Sequence, residues 1–244
     1  MRGLLTLDIE RNLREVERRI AQAAARVGRS PDEVTIIAVT KNIQVAAIEA
    51  ALKAGAKHIG ENRVQEAMRK MEGLSTFTPR PVWHMVGHLQ TNKAKTAAAV
   101  FDIIHSIDSI RLAEAISRSA PRSVPILIQV NISGERTKSG VPVAELAKAV
   151  TEIARLPRLE VRGLMTIAPL VKDAEEIRPV FHRLRELRDA LGLEHLSMGM
   201  SNDFEVAVEE GATMVRIGSA IFGERRQTNR RSDGGIITRD GSRT

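Results

Sequence analysis

The sequence predicts a single (β/α)8 TIM barrel, an α/β fold, preceded by one extra helix, and three observations predict it. Eight apolar, β-like runs recur at 34–40, 58–60, 83–87, 103–107, 124–132, 159–167, 195–200 and 214–221. Stretches with helical spacing fall between most of them, near 44–54, 63–72, 92–99, 109–119, 143–155, 173–191 and 202–210. That alternation is the signature of parallel strands joined by crossover helices. The chain, at 244 residues, has the length of one barrel, and no proline- or glycine-rich linker divides it. An open, doubly wound sheet is the alternative, because the run at 58–60 and the helix at 92–99 are short.

Taken in order, the elements begin with an amphipathic helix over 8–27. Ile9, Leu13, Val16, Ile20 and Val27 keep a three-four spacing there, and Gly28 is a natural stop. The first strand runs from Val34 to Thr40 and ends on Lys41. Later helices carry start signals at Ser109, Pro142, Asp173 and Ser201-Asn202-Asp203, and Gly192 closes the long helix that begins at Asp173. The last run, Met214-Val215-Arg216-Ile217-Gly218-Ser219-Ala220-Ile221, reads as the eighth strand and carries a small-residue turn. The barrel is expected over 1–224. Residues 225–244 have no hydrophobic period and are expected to form a basic, disordered tail.

Composition narrows the function classes. The chain is 43% hydrophobic but holds only one Trp and five Phe, so aliphatic side chains must fill the core. The absence of cysteine excludes disulfides and thiolate chemistry. The net charge of +7 resembles a nucleic-acid signal until it is located: the tail has six arginines against two aspartates, which leaves +3 on the body. A solubilising tail is the expectation, with an RNA or acidic partner as the alternative. Leu4-Leu5 is too short for a signal-peptide core and nothing approaches a membrane span, so a cytoplasmic protein with no membrane partner is expected.

Side chains and loops at the C-terminal strand ends of a barrel converge on one mouth, where phosphate commonly binds at the loops after strands seven and eight. After strand seven comes Ser197-Met198-Gly199-Met200-Ser201-Asn202-Asp203, where Ser201 offers a hydroxyl and the next helix an N-terminus. After the eighth strand, Gly218 permits close backbone approach and Ser219 adds a donor. Lys41 faces them across the mouth. Each has an ordinary reading alone: Ser201 as a helix cap, Gly218 as a turn, Lys41 as an exposed charge. Together, an amine able to form an imine and a phosphate cradle are what a protein needs to hold pyridoxal 5′-phosphate (PLP).

Several segments then carry a family resemblance. They are Ala38-Val39-Thr40-Lys41, Ile59-Gly60-Glu61-Asn62, Trp83 to Lys93, Gly163-Leu164-Met165, Leu196 to Ser201 and Met214 to Gly218. In this order and spacing, over roughly 8–224, the chain resembles the pyridoxal phosphate homeostasis protein family. The resemblance implies an alanine-racemase-type barrel without the racemase's additional β-domain, with PLP in imine linkage to Lys41. It implies that Ser201, Gly218 and Ser219 hold the phosphate, that Arg216 faces the pyridine nitrogen, and that Asn62 and His84 line the pocket. Arg63 stands where many members have tyrosine, which removes an aromatic contact there.

Two arguments favour a PLP carrier or buffer, supporting vitamin B6 and amino-acid balance, over a catalyst. An arginine at the pyridine nitrogen keeps its proton to a pKa above ~12, so it leaves the ring a weak electron sink. Racemisation needs a proton relay on each face, and this chain has no tyrosine to serve the second. His84 and Glu61 are the substitutes that a PLP-dependent racemase, the alternative function, would require. Glu61 has a competing reading as an ion-pair partner of Arg63 or Lys41. A Schiff-base aldolase acting on phosphorylated sugars is a third reading, disfavoured by Lys41 on strand one and by Arg216. Gly87 to Lys93 lacks the second glycine and the Ser/Thr of a nucleotide loop, and His58, His105, His182 and His195 show no ligand spacing, so no metal is expected. Expected partners are PLP and apo-PLP enzymes as recipients, with the protein a monomer. Lys138, in Thr137-Lys138-Ser139-Gly140 after strand five, is a candidate second amine for transfer, with a solvated loop charge as its ordinary reading.

Overall fold

The computed structural model describes residues 2–135, 139–169 and 171–223. Lys138 and the expected tail at 225–244 lie outside the described residues. The chain begins with α1 (Arg2–Arg26) and continues through β1 (Thr35–Val39), α2 (Val45–Lys53), β2 (His58–Glu61) and α3 (Val64–Gly73). Next come β3 (Val82–Met85), α4 (Ala94–Val100), β4 (Ile103–Ile107), α5 (Ile110–Ser119) and β5 (Val124–Asn131). The remainder is β6 (Val141–Pro142), α6 (Leu146–Ala154), β7 (Leu159–Met165), α7 (Arg178–Ala190), β8 (His195–Met200), α8 (Phe204–Glu209), β9 (Met214–Ile217) and α9 (Ser219–Phe222).

All pairings are parallel, and the sheet closes on itself because β1 pairs with β9 and β4 with β5. Eight strands therefore form a (β/α)8 barrel, with α1 as the extra helix. The two-residue β6 pairs only with the end of β5, Val130 opposite Val141, and stands outside the closed ring. The open-sheet alternative fails on the β4–β5 pairing, which leaves the ring no edge.

Two expected boundaries moved. The apolar run 214–221 is not one strand: β9 stops at Ile217, and Gly218 accepts from the N–H groups of Ile221 (3.1 Å) and Phe222 (3.0 Å) to start a helical turn. A short apolar run does not distinguish strand from buried turn by periodicity, and here the glycine decides. Val27, expected on the buried stripe of the first helix, lies past its end and is 43% exposed. The start signals at Ser109 and Asp173 act as read: Ser109 Oγ accepts from Leu112 N, and Asp173 accepts from Glu175 N.

The large apolar core lies between the strands and the helices. Helix α1 contributes Ile9, Leu13, Val16, Ile20, Ala23 and Ala24 to it and packs on its own barrel, against α2, α8 and α9. Asn12 Nδ2 donates to Ile221 O (3.0 Å), and Arg19 forms a two-pronged pair with Glu205 (2.7 and 3.1 Å) while its guanidinium carbon lies 4.6 Å from the centre of the Phe204 ring. Inside the ring a small cluster of Ile37, Val86, Leu127, Met165 and Met214 supports the mouth from below.

Gly163 shows how tightly the ring is drawn. A Cβ there would lie 2.1 Å from the carbonyl oxygen of His195, on the strand that pairs with β7. Since a backbone atom cannot yield as a flexible side chain does, Gly163→Ala is expected to cost about 2–3 kcal/mol by overpacking. Urea unfolding should report it as a lower midpoint at unchanged slope.

Candidate functional site

The apolar run of β1 ends at Val39, and buried Thr40 hands the chain to a turn holding Lys41 and Asn42, the latter with φ of 61°. This turn is held from outside the barrel. The Lys70 ammonium, on α3, donates to the Thr40 carbonyl, to Glu61 Oε1 (2.6 Å) and to Glu66 Oε1 (2.6 Å). Glu66 Oε1 also accepts from Asn42 N (2.6 Å), and Thr40 Oγ1 donates to Glu61. Both backbone neighbours of Lys41 are thus tied to one cluster. Burial raises the Glu61 carboxyl above its ordinary range, against the Lys70 and Thr40 hydrogen bonds. Burial opposes ionisation of Glu66 too, but the bonds from Lys70 and Asn42 outweigh it and hold that carboxyl low. The two carboxyls that share the Lys70 amine are thus shifted in opposite directions. Glu61 faces the helix layer, so its expected place in the mouth and its pairing with Arg63 or Lys41 are both corrected: strand alternation sends Asn62, not Glu61, inward.

Lys41 and Asn62 line a cavity of about 320 Å³ at the C-terminal strand ends. Ser201, Arg216, Gly218 and Ser219 line the same cavity. Ser201 does not cap α8; its hydroxyl accepts from the N–H groups of Gly218 (3.3 Å) and Ala220 (3.2 Å), on the turn between β9 and α9. A Cβ on Gly218 would meet only Val39, at 3.6–3.9 Å, so packing does not demand glycine; its lack of a side chain leaves that wall as bare backbone. Gly199, with φ of 89°, is demanded: a Cβ would lie 2.6 Å from Ala207 and 3.0 Å from Phe204.

Arg216 is buried, donating Nη1 to Ser197 Oγ (2.7 Å) and Nη2 to the Thr166 carbonyl (2.7 Å). Burial pushes its pKa down to about 10, and nearby Asp203 opposes the shift. Asp203 also lines the cavity; its carboxylate accepts from Met200 N, while burial raises its pKa.

Of the side chains expected at the site, the fold brings together Lys41, Asn62, Ser201, Arg216, Gly218 and Ser219. His84 is not among them. It is fully buried inside the barrel, 3.0 Å from His58 Nδ1 and 2.8 Å from His105 Nε2, and burial pushes its pKa down to about 3. Sequence reading also missed Val86, Ile167, Met200, Asn202 and Asp203 in the cavity wall. Lys70 was legible in part: it sits four residues after Glu66 and on the apolar face with Ala67.

Known proteins resemble the chain over most of its length. Residues 11–226 match the family described as alanine racemase, N-terminal domain. The pyridoxal phosphate homeostasis protein of Aquifex aeolicus is 43% identical over 223 residues, covering 88% of this chain and 97% of that one. Its namesake in Escherichia coli K12 is 42% identical over 231 residues, covering 89% and 97%. A solved structure of PipY from Synechococcus elongatus with PLP bound superposes with a TM-score of 0.74 at 41% identity, covering 84% of this chain and 100% of that one. The alanine racemase of Corynebacterium glutamicum shares the fold (TM-score 0.65, 20% identity), with 88% of this chain spanning 60% of it.

The Lys70 cluster has two measurable consequences. Lys70→Ala strands two carboxylates beside the Lys41 turn and is expected to cost about 3–5 kcal/mol in urea unfolding. Glu61 titrates higher folded than unfolded, so its stabilising contribution is complete below the ordinary carboxylate pKa and is lost as pH rises through the raised value. Glu61→Gln cannot ionise and should flatten that part of the stability–pH curve. A variant with the native slope contradicts the assignment.

Proposed function

We propose, from the premise that this chain belongs to the alanine racemase N-terminal domain family and within it to the pyridoxal phosphate homeostasis proteins, that it binds PLP and carries or buffers it. The observation that carries the reading is one cavity joining a primary amine, two hydroxyls, a bare glycine backbone and a buried guanidinium. These groups fit PLP, and the cavity of about 320 Å³ is within the ~300–1,000 Å³ range of small-molecule sites. When bound, PLP supplies an aldehyde that condenses with a primary amine.

Lys41 is the amine placed to receive it, its turn anchored by Thr40 and Asn42 so that the side chain enters the cavity from a fixed base. Ser201 and Ser219 offer hydroxyls to a phosphate, and Gly218 allows close approach. The 3.2–3.3 Å amide bonds to Ser201 are long, so a phosphate oxygen can compete for those N–H groups. Arg216 would offer its remaining N–H groups to the ring without giving up its proton, and Asn62 lines the same cavity as Lys41.

Holding is favoured over turnover. The two substitutes for a second-face proton relay, His84 and Glu61, both lie outside the cavity, and the chain has no tyrosine. The remaining carboxylate in the wall, Asp203, has an oxygen engaged by Met200 N–H. Among the described residues, no helix is long and apolar enough to cross a membrane. The finer reading is a cytoplasmic monomer that hands PLP to apo-enzymes. The monomer is supported by the packing of α1 on its own barrel, which leaves that stripe unavailable to a second copy.

Protein mixed with PLP should develop the visible absorption of a lysine-bound pyridoxal and lose it in Lys41→Ala; a colourless native protein sinks the proposal. Ser201→Ala, which removes one phosphate contact, should weaken PLP binding about tenfold. Incubated with amino acids in deuterated water, the loaded protein should exchange the α-proton no faster than free PLP does, and faster exchange would favour the racemase alternative.

A further inference from the structure

A line of polar side chains crosses the barrel interior. Arg216 Nη1 donates to Ser197 Oγ (2.7 Å), which is 2.9 Å from His105 Nδ1. His105 Nε2 is 2.8 Å from His84 Nδ1, and His84 Nε2 is 3.0 Å from His58 Nδ1. Ser197, His105 and His84 are fully buried. His58 is half-buried and lines a cavity at the opposite, N-terminal face, beside Lys57 and α1. The chain thus joins the Lys41 cavity to the far end of the barrel.

We infer that His105 and Ser197, backed by His84 and His58, are positioning residues that hold Arg216 in one orientation through a hydrogen-bond chain of single direction. The direction follows from donor counting. A guanidinium only donates, so Arg216 always occupies one lone pair of Ser197. Were His105 Nδ1 to donate to Ser197 as well, the buried hydroxyl proton would have no acceptor among the described residues. The hydroxyl therefore donates to His105 Nδ1, which places the ring proton on Nε2. His105 Nε2–H then donates to His84 Nδ1, and His84 Nε2–H to His58 Nδ1. Every contact is satisfied with all three rings neutral. Burial supports neutrality, pushing both His84 and His105 well down, with His58, His195 and Arg216 adding repulsion.

The consequence is local to the cavity. With Nη1 bonded to Ser197 and Nη2 to the Thr166 carbonyl, the guanidinium has its barrel side fixed and presents its remaining N–H groups to the space that Lys41 shares. The inference rests on the carrier reading only for what Arg216 meets there.

The test reads the ring tautomers directly. Long-range proton–nitrogen correlation spectra of the full chain without PLP should show His84 and His105 neutral and protonated on Nε2. In Ser197→Ala, His105 Nδ1 loses the hydroxyl proton it accepts, so its nitrogen shift should move toward that of an unbonded ring nitrogen while the ring proton stays on Nε2. Binding of PLP should weaken about tenfold in the same variant, because Arg216 loses one of two anchors. Ser197→Thr keeps the hydroxyl and should restore both properties. Native rings that are charged or protonated on Nδ1 overturn the inference, even if the alanine variant does not fold. So does a His105 Nδ1 shift or a PLP affinity unmoved by Ser197→Ala. Native protein that shows the expected tautomers yet binds no PLP overturns the carrier reading and leaves the chain direction standing.

Discussion

The parallel pairing of the first strand with the last is the constraint on which the rest depends. Thr35 lies opposite Met214, Ile37 opposite Arg216 and Ala38 opposite Ile217, so both strands leave the ring at the same height. The turn carrying Lys41 and the turn carrying Gly218 are then neighbours, though they sit near opposite ends of the described chain. Because every strand is parallel, each C-terminal end opens on the same face, and the amine, the hydroxyls and the guanidinium meet without any loop having to travel. An open sheet would leave β1 and β4 with other neighbours and would not form this mouth.

Around that mouth the protein spends its buried polarity in two places, with opposite solutions to the same problem. Outside the ring, two carboxylates and a carbonyl surround the Lys70 amine, and the cluster anchors the Lys41 turn. Inside the ring, no carboxylate among the described residues hydrogen-bonds to the three imidazoles, so burial favours their neutral forms and they satisfy one another in line. Opposite charges meet where partners are at hand, and the rings stand neutral where they are not. Arg216 belongs to the second system but cannot become neutral near physiological pH, and its two short bonds with Asp203 nearby are what make its burial tolerable.

Much of the site was legible because its residues sit at strand ends. Lys41, Asn62, Ser201, Gly218 and Ser219 each follow an apolar run, Arg216 lies one residue before the end of β9, and a barrel places such positions together. His84 was misplaced because it sits inside β3, a level below the rim, where parity points a side chain inward but depth decides whether it meets a ligand or a core. Glu61 was misplaced for the complementary reason: one residue from Asn62, it takes the opposite face. The histidines looked scattered because metal-ligand spacing is local in sequence, whereas His58, His84 and His105 meet across three adjacent strands.

What the sequence determined by itself is therefore the ring: element order, the parallel sense of the strands and the strand-end places of Lys41, Ser201, Gly218 and Ser219 follow from period, length and punctuation along the chain, while Asn62 and the role of Arg216 came with the family resemblance. What only the tertiary structure decided is partnership. Register between strands sets which inward side chains share a level, and helix packing brings Glu61, outward on β2, to Lys70. The first is a property of distances between segments far apart in sequence; the second is local in the Glu66–Lys70 pair and depends on the packing of α3 against β2 in the Glu61–Lys70 pair, which helix spacing alone does not encode.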